Sequence, residues 1–214
     1  MEPDNLLLDR YILSLSDKPR PRVCFIGTAS GDSERYIGNY LRAYRSLDCE
    51  ANYLALFKPP TRDLRGYVFD HDIVHVGGGN TKNLLCLWRE WGLDQILREA
   101  YQSGIVLSGM SAGMICWFED CVTDSFGDSL DRIDGLGILK GSATPHFDGE
   151  AQRKPYYLKM LHEGRVRGGI ALDDGVGALY LDEKLDSCVS SRPKAGAYLY
   201  EGTRETRLPV RFLG

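Results

Sequence analysis

The stretch that decides the fold is Ile105-Val106-Leu107-Ser108-Gly109-Met110-Ser111-Ala112-Gly113. A short apolar run predicts a strand, and residues 109–113 have the G-x-S-x-G form of a nucleophile elbow. Glycines are required because a strand that turns sharply into a helix brings neighbouring backbone too close for side chains. We expect Ser111 to be exposed at the tip of the turn, with the backbone N–H of Ala112 directed at a developing oxyanion.

Strand-like and helix-like segments alternate along the chain before this motif. Apolar runs predict strands at 23–27, 53–57, 73–76 and 105–107. Helical spacing predicts helices at 4–15, 34–47, 81–91 and 93–102. Continuous apolar strands alternating with helices indicate an α/β fold in which a parallel sheet has helices on both faces.

The later part of the chain has a different pattern of residues. Residues 122–137 are polar and rich in glycine, which predicts a loop, and residues 150–163 predict a helix. Short strands between residues 169 and 200 predict an antiparallel C-terminal extension. We expect one domain over residues 1–214, since α/β domains often reach this size.

The composition excludes several classes of protein. Of the 214 residues, 43% are hydrophobic and 26% charged, which argues against disorder. A net charge of −4 without a long basic run argues against nucleic-acid binding, and no apolar stretch is long enough to span a bilayer. The N-terminus lacks a signal-peptide core, so we expect a cytosolic protein without a membrane partner. A homodimer is one of the assemblies that the sequence allows.

The six cysteines indicate neither a zinc site nor a disulfide framework, because no C-x-x-C pair is present. Cys24 and Cys188 lie in apolar runs and are expected to be buried thiols. Cys116 and Cys121 lie near the elbow, but we favour core packing over a nucleophilic role for both.

A second glycine-rich turn, Gly77-Gly78-Gly79, follows the predicted strand at 73–76. Parallel strands end at the same sheet edge, so this turn and the elbow are expected to lie together. The backbone N–H of Gly79 or Gly78 is a candidate second oxyanion donor, and Gly78 and Asn80 are candidates for contacting substrate. Asn80 could also cap the next helix. Nucleotide binding is disfavoured because neither G-x-G-x-x-G nor the Walker ending is present.

A serine nucleophile needs a base and an orienting carboxylate. Of four histidines, His146 is favoured because Pro145 stiffens the loop that carries it. His75 is expected in the core, His71 just before a strand, and His162 late in a helix. Sequence spacing leaves the carboxylate open, and the candidates are Asp124, Asp128, Glu119, Asp148 and Asp174.

Three motifs together resemble the peptidase E (aspartyl dipeptidase) and cyanophycinase family of serine peptidases. They are Val76-Gly77-Gly78-Gly79-Asn80-Thr81, the elbow at 109–113, and Pro145-His146-Phe147. The resemblance implies a three-layer fold like that of class I glutamine amidotransferases, which is flavodoxin-like, with serine in place of cysteine at the elbow.

The resemblance also implies roles for individual residues. It assigns the nucleophile to Ser111, the base to His146 and, best among the acids, the third triad position to Asp124. The oxyanion hole corresponds to the N–H groups of Gly79 and Ala112. Arg153 is the nearest counterpart of an arginine that binds the substrate's aspartate side chain, and the alternative for it is a solvated charge on a helix.

The function expected from this resemblance is hydrolysis of short peptides, in particular dipeptides with an N-terminal aspartate. No metal or organic cofactor is expected. The alternatives are a cyanophycinase-like hydrolase of Asp-Arg polymer and a catalytically silent binding protein on the same scaffold. An amidotransferase with a cysteine nucleophile is disfavoured, since the residue at the elbow tip is Ser111.

Overall fold

The computed structural model describes residues 4–127 and 129–214. The chain divides into two compact units, residues 1–114 and residues 115–214. Each unit has its own sheets and its own buried core.

The N-terminal unit is built on a four-stranded parallel sheet. Its strands are β1 (Arg22–Ile26), β2 (Glu50–Leu54), β3 (Ile73–Val76) and β4 (Val106–Gly109). Their order is β2-β1-β3-β4, and every neighbouring pair is parallel. The carboxyl ends of β3 and β4 are therefore adjacent, which brings the two glycine-rich turns to one edge of the sheet.

Helices cover both faces of this sheet. They are α1 (Leu7–Leu13), α2 (Glu34–Tyr44), α3 (Leu64–Phe69), α4 (Thr81–Glu90) and α5 (Leu93–Gln102). Phe25 of β1 packs with Tyr40 and Tyr44 of α2, and the rings of Phe25 and Tyr40 stack at 4.7 Å. Successive strand residues point to opposite faces, so the fully buried Ile26 is covered from the other side.

Side-chain caps determine where three of these helices begin. Ser33, Asp63 and Asn80 each accept a hydrogen bond from the backbone N–H three residues later, at 3.5, 2.8 and 2.8 Å. Such caps satisfy N–H groups that have no partner inside the helix. The cap at Asn80 places the start of α4 directly after the glycine-rich turn.

The C-terminal unit contains a mixed sheet of six strands. They are β5 (Phe118–Thr123), β6 (Asp131–Asp134), β7 (Leu139–Thr144), β8 (Gly169–Leu172), β11 (Ala197–Glu201) and β12 (Arg204–Leu208). The order is β12-β11-β8-β7-β5-β6, with β5, β7 and β8 parallel and the outer pairings antiparallel.

A second sheet and one long helix complete this unit. The sheet consists of β9 (Val176–Leu181), β10 (Lys184–Ser190) and β13 (Val210–Phe212). Helix α7 (Arg153–His162) buries Tyr157 and Met160 in a cluster with Phe147 and Tyr200. The ring of Tyr157 meets those of Phe147 and Tyr200 edge-on. This cluster packs directly behind the segment that carries His146.

The structure confirms the predicted α/β class, with a mostly parallel sheet, helices and added antiparallel strands toward the C-terminus. Strand β2 begins three residues earlier than the predicted 53–57 run. β2 is an edge strand, so it has a neighbouring strand on one side and solvent on the other. Polar residues such as Glu50, which is exposed, are tolerated there. The loop predicted at 122–137 instead contains the end of β5 and all of β6.

Ser142 on β7 is a buried polar group on which the C-terminal core depends. Its Oγ donates to the carbonyl oxygen of Arg167 at 2.6 Å and accepts the hydroxyl hydrogen of Tyr157 at 2.7 Å. Ser142→Ala leaves the buried Tyr157 hydroxyl without this partner and removes the bond to the Arg167 carbonyl, so we expect the free energy of unfolding to fall by about 1–3 kcal/mol. Chemical denaturation measures the change. Ser187→Ala, on the half-buried face of β10, is the control and should stay within about 0.5 kcal/mol of the parent protein. Equal effects of the two substitutions would contradict this role.

Candidate active site

Ser111 lies in a strained backbone conformation directly after β4. Its φ is 52°, in the left-handed region that residues with a side chain rarely adopt. The turn is tight: a Cβ on Gly113 would lie 2.2 Å from the carbonyl oxygen of Val76, and helix α6 (Ala112–Ile115) follows at once. This is the elbow that the G-x-S-x-G pattern predicts.

The glycine-rich turn after β3 packs against the elbow. A Cβ on Gly78 would come within 3.1 Å of the Ser111 Cβ atom. Gly79 has a φ of 137°, and a Cβ there would lie 2.2 Å from the carbonyl oxygen of Ala29. Neither position leaves room for a side chain, so the backbone of this turn can approach a group bound at Ser111.

Hydrogen bonds distinguish the three N–H groups of this turn. Gly77 donates to the carbonyl oxygen of Ile26 at 3.0 Å, and Gly78 donates to the hydroxyl oxygen of Tyr36 at 3.1 Å. Within residues 4–127 and 129–214, the N–H of Gly79 has no acceptor. Of the two donors that the sequence leaves open, Gly79 is therefore the one available to a ligand.

Tyr36 on α2 is a residue that sequence reasoning missed. Its hydroxyl accepts from Gly78 and donates to the Sδ atom of Met110 at 3.0 Å, so it joins the turn to the elbow. Burial raises the pKa of Tyr36, which keeps the hydroxyl protonated at neutral pH. Its position on the apolar stripe of a helix predicts core packing and does not reveal this contact.

Asn80 was a candidate for contacting substrate, and the structure assigns it a different bond. Its Oδ1 accepts the N–H of Asn83 at 2.8 Å and caps α4. Gly78, the other candidate, has its N–H engaged by Tyr36. Both residues thus shape the turn.

His146 follows β7 in the C-terminal unit, and its backbone is strained like that of Ser111. Its φ is 55°, and its ring Nδ1 lies 2.6 Å from Oδ1 of Asp174. A carboxylate accepts, so Nδ1 carries the hydrogen, and in this tautomer Nε2 is the basic nitrogen of an imidazole. The side chains are about one-third exposed, 31% for His146 and 34% for Asp174, so the pair is open to a substrate.

The carboxylate at His146 is Asp174, not the Asp124 that the family resemblance favours. Asp124 is exposed directly after β5, whereas Asp174 sits in the turn between β8 and β9. A Cβ on Gly149 would lie 2.6 Å from the Asp174 carboxylate, so the absence of a side chain at position 149 leaves room for that carboxylate. The Asp-Gly pair after β8 is a turn signal that could have raised the rank of Asp174.

The other acidic candidates have different partners. Asp148 Oδ1 accepts the backbone N–H of Asp174 at 2.8 Å and so supports the turn. Glu119 accepts the N–H of Gly141 at 2.8 Å, and this bond holds the pKa of Glu119 below its usual value. Asp128 lies outside the described residues.

Among the described residues, no carboxylate lies at the ring of any of the other three histidines. His71 and His75 are buried, with Nδ1 bonded to the Tyr67 carbonyl and to Ser108 Oγ. Burial lowers the pKa of His75 to about 3, which keeps that ring neutral. His162 bonds to the carbonyl of Leu158 within α7. His146 is thus the histidine whose surroundings suit a general base.

The cysteines near the elbow are core residues, as expected. Cys116 and Cys121 are fully buried, and burial raises the pKa of Cys121 to about 12 and that of Cys116 well above its usual value. Both remain thiols at neutral pH, and a thiol is a poor nucleophile. Cys24 and Cys188 are likewise buried.

Arg153 is neither a solvated charge nor a group open to a ligand. It is 2% exposed at the start of α7. Its Nε and Nη2 donate to Glu150 Oε2 at 2.9 and 2.6 Å, and its Nη1 donates to the carbonyl oxygen of Val122 at 3.1 Å. These bonds tie α7 to β5, so the guanidinium expected to bind a substrate's aspartate is already used within the fold.

Two negative findings apply to the described part of the chain. No group of three or more His, Cys, Asp or Glu side chains is arranged to hold a metal ion. No helix there has the length and apolar character needed to cross a bilayer.

Comparison with known proteins finds a relative by sequence and similar solved structures. The chain is 50% identical over 218 residues to the uncharacterized peptidase YgaJ of Bacillus subtilis (strain 168), covering 100% of this chain and 94% of that one. A solved peptidase from an acI-B1 Actinobacterium is 20% identical, with a TM-score of 0.74 over 95% of this chain and 89% of that one. A candidate peptidase E from Listeria monocytogenes EGD-e is 19% identical, with a TM-score of 0.62 over 97% and 95% of the two chains.

These two structures share the fold, and the family follows from the sequence. The profile of peptidase family S51 matches residues 1–188, which include the elbow, the glycine-rich turn, His146 and Asp174. The chain belongs to peptidase family S51.

Proposed function

We propose that this protein is a serine peptidase in which Ser111 is the nucleophile, His146 the general base and Asp174 the orienting carboxylate. The observation that carries the proposal is the 2.6 Å hydrogen bond between His146 Nδ1 and Asp174 Oδ1. This bond selects the tautomer whose Nε2 can take a proton from a serine hydroxyl. Membership of a peptidase family supports hydrolysis of a peptide bond.

In this mechanism Ser111 Oγ attacks the scissile carbonyl carbon while His146 Nε2 accepts the hydroxyl proton. Negative charge develops on the carbonyl oxygen, and the N–H groups of Gly79 and Ala112 stabilise it. His146 then donates its proton to the leaving amine, which departs and leaves an acyl group on Ser111. A water molecule, deprotonated by His146, hydrolyses the acyl-enzyme and restores the serine.

We further propose that the substrates are short peptides, in particular dipeptides with an N-terminal aspartate. The resemblance of the three sequence motifs to peptidase E supports this class. We place the activity in the cytosol, because six free cysteines, five of them buried, are typical of a reducing compartment.

Ser111→Ala tests the nucleophile. It removes only the attacking oxygen from a half-buried side chain, so the fold should persist while kcat for Asp-Leu hydrolysis falls by about 10³-fold or more. Release of free leucine measures turnover, and circular dichroism checks the fold. A folded variant with the parent's turnover would refute the assignment, as would a parent protein that cleaves no peptide while binding it.

Asp174→Asn tests the orienting carboxylate. An amide cannot hold Nδ1–H with the same charge and stabilises the wrong tautomer, so kcat should fall by about 10⁴-fold. Asp124→Asn is the matched control, since it makes the same chemical change at an exposed position after β5. If the Asp124 variant loses more activity than the Asp174 variant, the carboxylate has been assigned to the wrong residue.

Tyr36→Phe tests the link between the glycine-rich turn and the elbow. Losing the hydroxyl frees the Gly78 N–H and loosens the turn that carries the Gly79 donor. We expect kcat to fall about 10- to 100-fold with KM nearly unchanged, because the oxyanion forms only after binding. Tyr40→Phe removes a hydroxyl from the same helix that donates to the Val23 carbonyl at 3.1 Å. That control should lower stability but keep kcat, and equal losses of kcat would show that Tyr36 has no special role.

A further inference from the structure

An open cavity of about 430 Å³ lies beside the turn that carries Asp174. Its walls are formed by Asp148, Arg192, Pro193, Lys194 and Ala195. Asp148 accepts the N–H of Asp174 at 2.8 Å. A Cβ on Gly175 would lie 2.9 Å from Cγ and Cδ of Arg192, so the stem of that arginine packs on the residue next to Asp174. The cavity therefore adjoins the proposed base and its carboxylate.

The wall that carries the two cations is anchored at both ends. Ser191 N–H and Ser190 Oγ donate to the carbonyl oxygen of Gly175, at 2.9 and 3.1 Å. Gly196 N–H donates to Asp173 Oδ2 at 2.7 Å, and Asp173 N–H donates back to the Gly196 carbonyl at 3.0 Å. Residues 190–196 are thus fixed to the 173–175 turn, and the cations start from defined backbone positions.

The charge balance of the cavity favours an anion. Arg192 and Lys194 contribute two positive charges, and Asp148 contributes one negative charge whose Oδ1 already accepts an N–H. Lys194 is exposed, and its ammonium group forms no ion pair with any residue of the described ranges. Arginine binds carboxylates through a two-pronged fork, and lysine adds a mobile point charge.

We propose that Arg192 and Lys194 bind a carboxylate of the peptide substrate, an inference that rests on the proposed peptidase function. Arg153 cannot take this part, because Glu150 and the Val122 carbonyl occupy its guanidinium. The cavity beside Asp174 supplies two cations in its place. The carboxylate has two sources in a dipeptide, the side chain of an N-terminal aspartate and the C-terminus.

Binding to the Ser111→Ala protein tests the inference without turnover. Calorimetry compares Asp-Leu with Asn-Leu, which lacks the side-chain carboxylate, and with Asp-Leu amide, which lacks the C-terminal one. We expect Asp-Leu to bind about tenfold more tightly than one of these analogues. Adding Arg192→Gln and Lys194→Gln should abolish this tenfold advantage in affinity. The analogue that binds more weakly than Asp-Leu identifies which carboxylate of the dipeptide is bound. Arg204→Gln with Lys184→Gln, at exposed positions on β12 and β10 away from the cavity, makes the same change in net charge and should preserve it.

Three results would overturn the inference: no carboxylate-dependent binding, an advantage that survives Arg192→Gln with Lys194→Gln, or an equal loss in the control. The outcome is separate from that of the proposed function, which is measured by hydrolysis. If the parent protein cleaves dipeptides and the advantage survives, the cavity assignment alone fails. If the advantage disappears but no peptide is cleaved, the peptidase assignment alone fails.

Discussion

Backbone strain at two strand ends is the constraint on which the proposed chemistry depends. Ser111 follows β4 and His146 follows β7, and both have a left-handed φ, of 52° and 55°. Such a conformation costs about 1–3 kcal/mol at a residue with a side chain and persists only where the surroundings enforce it. Here parallel strands and glycines that pack backbone against backbone enforce it, so each proposed functional group is held at the end of a strand.

A second constraint is that each buried donor near the elbow needs an acceptor. Tyr36 takes the N–H of Gly78, and the Ile26 carbonyl takes that of Gly77, so the Gly79 donor remains for a ligand. A turn of three identical residues thus acquires three different roles from its neighbours. The same rule explains Arg153, which is tolerated in the interior because Glu150 and the Val122 carbonyl satisfy its three nitrogens.

Residue type alone misleads where a charged group could serve either the fold or a ligand. Arg153 lies shortly after His146 in sequence, which suggests contact with substrate, yet α7 buries it against β5. Arg192 and Lys194 lie far along the chain, in a polar segment with no recognisable motif, yet the fold places them beside Asp174. Residue type also fails to identify the carboxylate at His146. Asp124 and Asp174 have the same side chain, but it is Asp174 that bonds to the ring.

The sequence by itself determined the α/β class, the elbow turn at Ser111 and the glycine-rich turn before α4, and it singled out His146 as the candidate base. Each of these depends on local rules: the period of apolar residues, the need for glycine where backbones touch, and the stiffness that proline gives a loop. Tertiary structure alone decided which carboxylate meets the imidazole, which N–H remains unbonded, and which cations face a cavity. These depend on hydrogen bonds between residues far apart in the chain, such as His146 with Asp174 and Tyr36 with Gly78, and the spacing of residues along a sequence carries no record of such distances.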